Sequence, residues 1–415
     1  MERTLRIAKI IAAVLIVVTI GALIGWFYVV QSNIESIEVK DVARGSSLAP
    51  SFGGTSGSAF QNALGGDFAI EPSASSSSAP AKKAAPRLWR IASNPVSGFG
   101  FATTTPRVLF VDTATGNILE ADPLTSDIVR RSNTIFPKSF DAKFSSEGSV
   151  VLRFFENNAV RTYAARLPTS TPQQVSATST ARLSGTYLPT GIVDIAILPK
   201  EILVYALPDA AGGIQITQSD IKGGSQKKLI TLPLRDWRLH AAQDGTVVLA
   251  QKASDGIPGY SFTLSPSGIL APLIENRAGL TVLAKNPRAV IFGTSDGGLA
   301  LSARQSRDAE PTNLSLATIA EKCVWSRGTT LVAWCAVPRA SAGSTDPLLD
   351  LYQGVRHTSD VWYRLDVAAG TAVEIFTPDG SANIDVENPS IDAGNRYIAF
   401  TNAADKSLWV LRIEP

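Results

Sequence analysis

Beyond residue 87 the chain alternates apolar and polar positions with a period of two over short runs, each broken by a turn carrying Gly, Pro, Asn or Asp. Helical periodicity is scarce there, so the pattern predicts an all-β domain. One unit recurs: an apolar residue, a turn, a strand of branched and aromatic residues, a second turn and another strand. The last apolar residue before each first turn marks the unit: Phe101, Phe144, Ile197, His240, Leu283, Trp325 and Ile391. Four of the six spacings fall within one residue of 43, which suits a four-stranded propeller blade of about 40–45 residues. Second strands follow each mark, among them Val108-Leu-Phe-Val, Ile202-Leu-Val-Tyr and Tyr397-Ile-Ala-Phe. Seven marks predict a seven-bladed β-propeller of four-stranded antiparallel blades. A lone blade leaves both faces bare, and stacking in a closed ring covers them and removes free edges. The last unit stops at Trp409-Val-Leu-Arg-Ile, one strand short, while Leu88-Trp-Arg-Ile stands unused ahead of the first. The spare strand is expected to complete the last blade, the alternative being that it is merely linker.

Two spacings are long. One insertion, 168–188, is polar and rich in Ser and Thr, and reads as a loop. The other, 338–360, mixes apolar and polar groups. Long loops on rigid scaffolds often carry function, so Tyr352, Gln353, Arg356, His357 and Asp360 are the candidate binding residues. Packing of this loop over a blade is the plainer reading.

The N-terminus has a different pattern. Residues 10–30 form an uncharged, mostly apolar run of 21 residues, about 31 Å long as a helix and matched to a bilayer core of about 30 Å. Arg3, Arg6 and Lys9 precede it, so residues 1–9 are expected in the cytoplasm and the propeller outside it, at the cell membrane. A cleaved signal peptide would have a shorter apolar region and a small-x-small site. Gly21 and Gly25 make a GxxxG pair that could support a weak helix-mediated dimer. Residues 31–86 read as a flexible linker. From residue 41 on it is rich in Ser, Gly, Ala and Pro and short of large apolar groups that would offset the entropy of ordering. The division is therefore 1–9, 10–30, 31–86 and 87–415.

Charge adds little. Lys and Arg number 38 against 36 Asp and Glu, a net charge of +2, with no basic stripe, so no nucleic-acid partner is expected. Two His and two Cys leave little material for a metal site, and no cofactor is expected. Pairing Trp325 with Ala333 in the sixth blade's first hairpin sets Cys323 directly opposite Cys335. That separation is close enough to bridge, and outside the cytoplasm the bond would persist. Catalytic signatures are missing: no Gly-x-Ser-x-Gly elbow, phosphate loop or His-Glu-x-x-His. The glycine pairs at 212–213, 223–224 and 297–298 read as hairpin turns. His240 reads as a core histidine. His357 with Asp360 nearby could be a base and its orienter. Trp237, Trp325, Trp334, Trp362 and Trp409 fall on strands and read as core.

Several stretches resemble a known group: Thr115-Gly-Asn-Ile, Ile257-Pro-Gly-Tyr, Tyr352-Gln-Gly, Ser359-Asp-Val-Trp, and above all the pair Glu321-Lys-Cys-Val-Trp-Ser and Cys335-Ala-Val-Pro. With them, 87–415 resembles a family of uncharacterised membrane-anchored WD40-like (TolB-type) propellers of candidate-phyla bacteria. The resemblance implies a propeller and an outward location, and supplies no activity. Turns such as Leu198-Pro-Lys depart from the Ser-Pro-Asp-Gly pattern of TolB-like repeats. The expected function is non-catalytic binding of a protein or ligand at the cell envelope, with an envelope protein or a glycan as partner. The alternative is an extracytoplasmic hydrolase or lyase acting on glycans, with carboxylates at the channel mouth. Clustered carboxylates of raised pKa there would favour the enzyme, and scattered ones the binder.

Overall fold

The computed structural model describes residues 86–102, 105–125, 127–168, 182–339, 346–379 and 383–413. The expected membrane span, its glycine pair and the linker up to residue 85 lie outside these residues. Among the described residues no helix is long and apolar enough to cross a membrane.

Seven separate four-stranded antiparallel sheets form the domain. Six are built from consecutive strands, spanning 96–130, 139–187, 194–232, 237–278, 281–313 and 323–376. The seventh takes three strands from 386–412 and its outermost from Leu88–Ala92. The unused N-terminal strand therefore does complete the last blade, in the register Leu88 to Leu411, Trp89 to Val410 and Arg90 to Trp409. The Arg87 carbonyl accepts the Arg412 N–H at 2.8 Å. Its guanidinium donates to the Arg412 and Ile375 carbonyls at 3.1 and 2.8 Å, tying the seam to blade 6.

The side-chain alternation explains the ring. Each strand sends its two apolar sets to opposite faces, and each face packs on the neighbouring blade. The core is accordingly seven apolar clusters, one at each interface between adjacent blades, including the seventh-to-first. All seven marks lie on innermost strands. Near the axis those strands crowd. A Cβ on Gly98 would fall 2.0 Å from the Ala142 carbonyl oxygen of the next blade, so only glycine fits.

Strand parity fixes where the connections emerge. Turns between second and third strands, and crossings from blade to blade, share one face, here the upper one. The two insertions therefore part company. The insertion at 168–188 leaves the third strand of blade 2 and enters its fourth at the lower face. It is less of a loop than expected, since Ser184–Tyr187 forms that blade's fourth strand. The insertion at 338–360 leaves the second strand of blade 6 and enters its third at the upper face.

The cysteines stand directly opposed, flanked by the pairs Val324 to Trp334 and Trp325 to Ala333, and are joined in a disulfide. Both are buried. Trp237, Trp325, Trp334 and Trp362 are core residues, as expected, and the three glycine pairs occupy turns between strands.

Candidate functional site

Within the blade 6 insertion, residues 346–359 form a strap. Pro347–Tyr352 makes a short helix started by proline at its first turn. Leu348 is 1% exposed and serves as the knob that seats the strap. It fits because residue 279 in the crossing from blade 4 to blade 5 is a glycine: a Cβ there would lie 2.9 Å from Leu348 Cδ1. Asp255, on the upper turn of blade 4, accepts the backbone N–H of Leu348 and Leu349 at 3.2 and 3.0 Å and the Ser295 hydroxyl. At the strap's far end the Tyr352 hydroxyl donates to Glu321 Oε2 at 2.8 Å, and the Arg238 guanidinium lies 4.6 Å from its ring centroid. Arg238 also pairs with Glu321. Burial and the Glu321 carboxylate push the Tyr352 pKa up, so the phenol remains a hydrogen-bond donor.

The strap covers a cavity of about 530 Å³ bounded by Tyr352, Gln353, His357, Asp385, Glu387 and Lys406, with Arg238, Glu321 and Asn388 on its inner side. Those last three also line a second cavity of about 530 Å³ along the propeller axis, shared with Lys143, Arg153, Asp194 and His240. The two together form the upper mouth of the central channel.

The floor is a buried ionic cluster. Lys322 Nζ donates to Asp360 Oδ2 and Asp385 Oδ1, both at 2.6 Å, and to Thr358 Oγ1 at 2.7 Å. Asp360 is fully buried and also accepts the Val386 N–H at 2.8 Å and the Thr358 hydroxyl at 2.7 Å. Burial raises the Asp360 pKa, against the opposing pull of Lys322 and these donors. Asp385 is less enclosed. Burial raises it too, but Lys322, Thr358 and His357 outweigh that and hold it below the usual range. His357 Nδ1 lies 3.1 Å from Asp385 Oδ2.

Of the five candidate residues, Tyr352, Gln353 and His357 line the mouth. Asp360 lies sealed in the floor, and Arg356 turns to Asp350 at 3.7 Å, bracing the strap. The pairing of His357 with Asp360 is corrected: Lys322 and Thr358 occupy Asp360, and the partner of His357 is Asp385. His240, read as core, lies half-buried on the channel wall, where its Nε2 accepts the Ala284 N–H at 3.4 Å. Enclosure and nearby Lys143 push its pKa down to about 4. Arg238, Glu321, Lys322, Asp385, Glu387, Asn388 and Lys406 were not anticipated. The signal available for Lys322 was a lysine one position before an inner strand that otherwise reads as core. Among the described residues no group of three or more His, Cys, Asp or Glu could hold a metal ion.

No protein-family model matches the chain, and no curated protein matches its sequence. Solved structures do match. Virginiamycin B lyase from Staphylococcus aureus aligns at 14% identity and a TM-score of 0.50, over 78% of this chain and 98% of its own. An oligogalacturonate lyase in complex with manganese aligns at 10% identity and a TM-score of 0.52, over 79% and 93%. TolB from Acinetobacter baumannii aligns at 10% identity and a TM-score of 0.40, over 74% and 64%. At these identities the likeness is one of fold: the chain is a seven-bladed β-propeller with distant similarity to lyase, TolB and WD40 propellers.

Proposed function

We propose that this chain is a non-catalytic binding propeller at the cell envelope, anchored in the membrane through residues 10–30 with the propeller outside the cytoplasm, and that its protein or glycan partner engages the upper mouth beneath the strap. One observation carries the reading. The carboxylates at the mouth, Asp194, Glu321, Asp385 and Glu387, are each paired with a cation, and the one with a raised pKa, Asp360, is sealed from the cavity. The mouth therefore offers many fixed hydrogen-bonding groups and no exposed carboxylic acid poised to give up a proton, which suits recognition better than acid–base turnover. The test is site-specific photo-crosslinking of the full-length protein in its native membrane. A crosslinker at Gln353 is expected to capture a partner that one at Ile269, exposed on the opposite face, does not. Equal capture from both positions contradicts the reading.

A second reading is a lyase or hydrolase on glycans. It is favoured by the His357–Asp385 contact, which orients an imidazole in the same cavity as the Tyr352 hydroxyl, a base beside a proton donor. Product release from polyuronates that disappears in His357→Gln would select it over the first.

A further inference from the structure

The innermost strand of blade 7 breaks its pairing at the mouth. Glu387 pairs with Thr401 and Ser390 with Ala399, so Asn388 and Pro389 together oppose Phe400 as a β-bulge, a device that re-aims a side chain. Asn388 holds a left-handed φ of 52°, although the residue ahead of a proline is normally extended. Strain of this kind gathers at ligand sites. Here it sets an exposed carboxamide on the wall common to the strap cavity and the axial cavity. On the strap, Gln353 adds a second exposed carboxamide to the same cavity. Neither side chain forms a hydrogen bond within the chain. The charged groups around them are all matched: Arg238 pairs with Glu321, Lys322 and His357 with Asp385, and Lys406 with Glu387. The Thr401 hydroxyl fixes Glu387 further, at 3.3 Å. A carboxylate only accepts, so His357 donates through Nδ1 and its Nε2 is left without a partner.

We infer that the strap cavity is a binding site for a neutral pyranose unit of an uncharged glycan, read by Asn388 and Gln353; the inference rests on the binding reading above and gives its partner a chemistry. A charged ligand is disfavoured, because it must draw one member out of an existing ion pair and leave the other uncompensated. A peptide anchor finds no seat either. Ile319 and Val386 line the cavity but are 5% and 1% exposed, and Leu351 and Ala403 are partly covered, so the lining has no open apolar pocket of the kind such anchors fill. Sugar hydroxyls suit what remains. Each one donates and accepts at once, so neighbouring hydroxyls can bridge the donor and acceptor of one carboxamide. They can equally bridge the two members of an ion pair, such as Lys406 and Glu387 at 2.7 Å, without separating the charges. The Tyr352 ring supplies a flat surface for the C–H face of a pyranose. It is 36% exposed, with Arg238 over one face and its hydroxyl held by Glu321. These groups are fixed before a ligand arrives, which lowers the ordering cost of binding.

The test is calorimetric titration of the full-length protein, in a detergent without a sugar head group. The probes are soluble tetrasaccharides of glucose, mannose, galactose, xylose and N-acetylglucosamine, with tetragalacturonate as the acidic counterpart. At least one neutral sugar is expected to bind with a Kd below about 1 mM, equally at about 0.05 and about 0.5 M salt. Affinity should fall at least about tenfold in Asn388→Gly and in Gln353→Ala, and be unchanged in Ile257→Ala, an exposed apolar residue on the same face. Glycine adopts a left-handed φ without strain, so Asn388→Gly removes the carboxamide and should leave Tm within about 2 °C of the parent's. Should that variant melt early, Gln353→Ala, at an exposed position, decides alone. Binding of tetragalacturonate only, affinity that weakens with salt, or affinity indifferent to Asn388→Gly or Gln353→Ala overturns the inference. So does a panel in which nothing binds. The crosslinker at Gln353 then separates the two readings: selective capture of a protein leaves the mouth a binding site, and capture no better than from Ile269 removes both.

Discussion

Replacing Lys322 with methionine keeps most of the side chain's volume and removes one charge from the floor cluster. Asp360 is 0% exposed, so it cannot replace its lost partner with water, while Asp385 borders the cavity and keeps His357. Breaking a buried ion pair by removing one member costs about 3–5 kcal/mol. With an unfolding entropy of about 2.1 cal/mol/K per residue, a domain of this size has about 0.7 kcal/mol/K, so about 4 kcal/mol lowers Tm by about 6 °C. The sign with pH is also fixed. Losing Lys322 removes the largest influence opposing burial at both carboxyls, so both folded pKa values move up and the folded variant takes up protons at a higher pH than the parent does. Its deficit should therefore be largest at about pH 7 and shrink as pH falls toward about 4. Scanning calorimetry of both proteins at several pH values measures this, and adding Asp360→Asn and Asp385→Asn should return part of the loss at neutral pH. A drop below about 1 °C, or a deficit that does not change with pH, would refute the picture of an ionised buried cluster.

Reducing the Cys323–Cys335 disulfide, or replacing both residues with serine, should cost about 3 kcal/mol by the loop-entropy argument, read as a lower urea midpoint; an unchanged midpoint speaks against it. His240, with a folded pKa of about 4 against about 6.5 unfolded, should stay neutral through the physiological range. Because the folded pKa is the lower one, its contribution to stability is fully present above about pH 6.5 and is lost as pH falls toward 4. Histidine-selective NMR, with His357→Gln for assignment, should find no His240 transition between about pH 5.5 and 8.

The parts legible in the sequence were those written locally. Blade count, inner strands and the cysteine register follow from period-two alternation and near-equal units, and each needs only a few dozen neighbouring residues. The seam was legible by elimination, since one strand was missing and one was spare. The site was legible only in part. His357 looks toward Asp360 along the chain, but the fold delivers Asp385 from the next blade. The seat of the strap joins Leu348 to Asp255 across 93 positions, a pairing that no periodicity encodes. Asn388 escaped because alternation assumes unbroken register, and an inserted residue moves a side chain to another surface.

The seam has a consequence for the chain's life as a polymer. Residues 88–92 are made ahead of all the other strands of the domain, yet their pairing partners, Leu408–Leu411, are made after the other six blades. Until those partners exist, the opening strand has nothing to hold, and any message cut short before Leu408 yields a chain with two bare sheet edges. The domain thus carries a completion checkpoint in its own covalent order. Once zipped, the same five residues mean that a pull on the leading segment is resisted by hydrogen bonds to the trailing one.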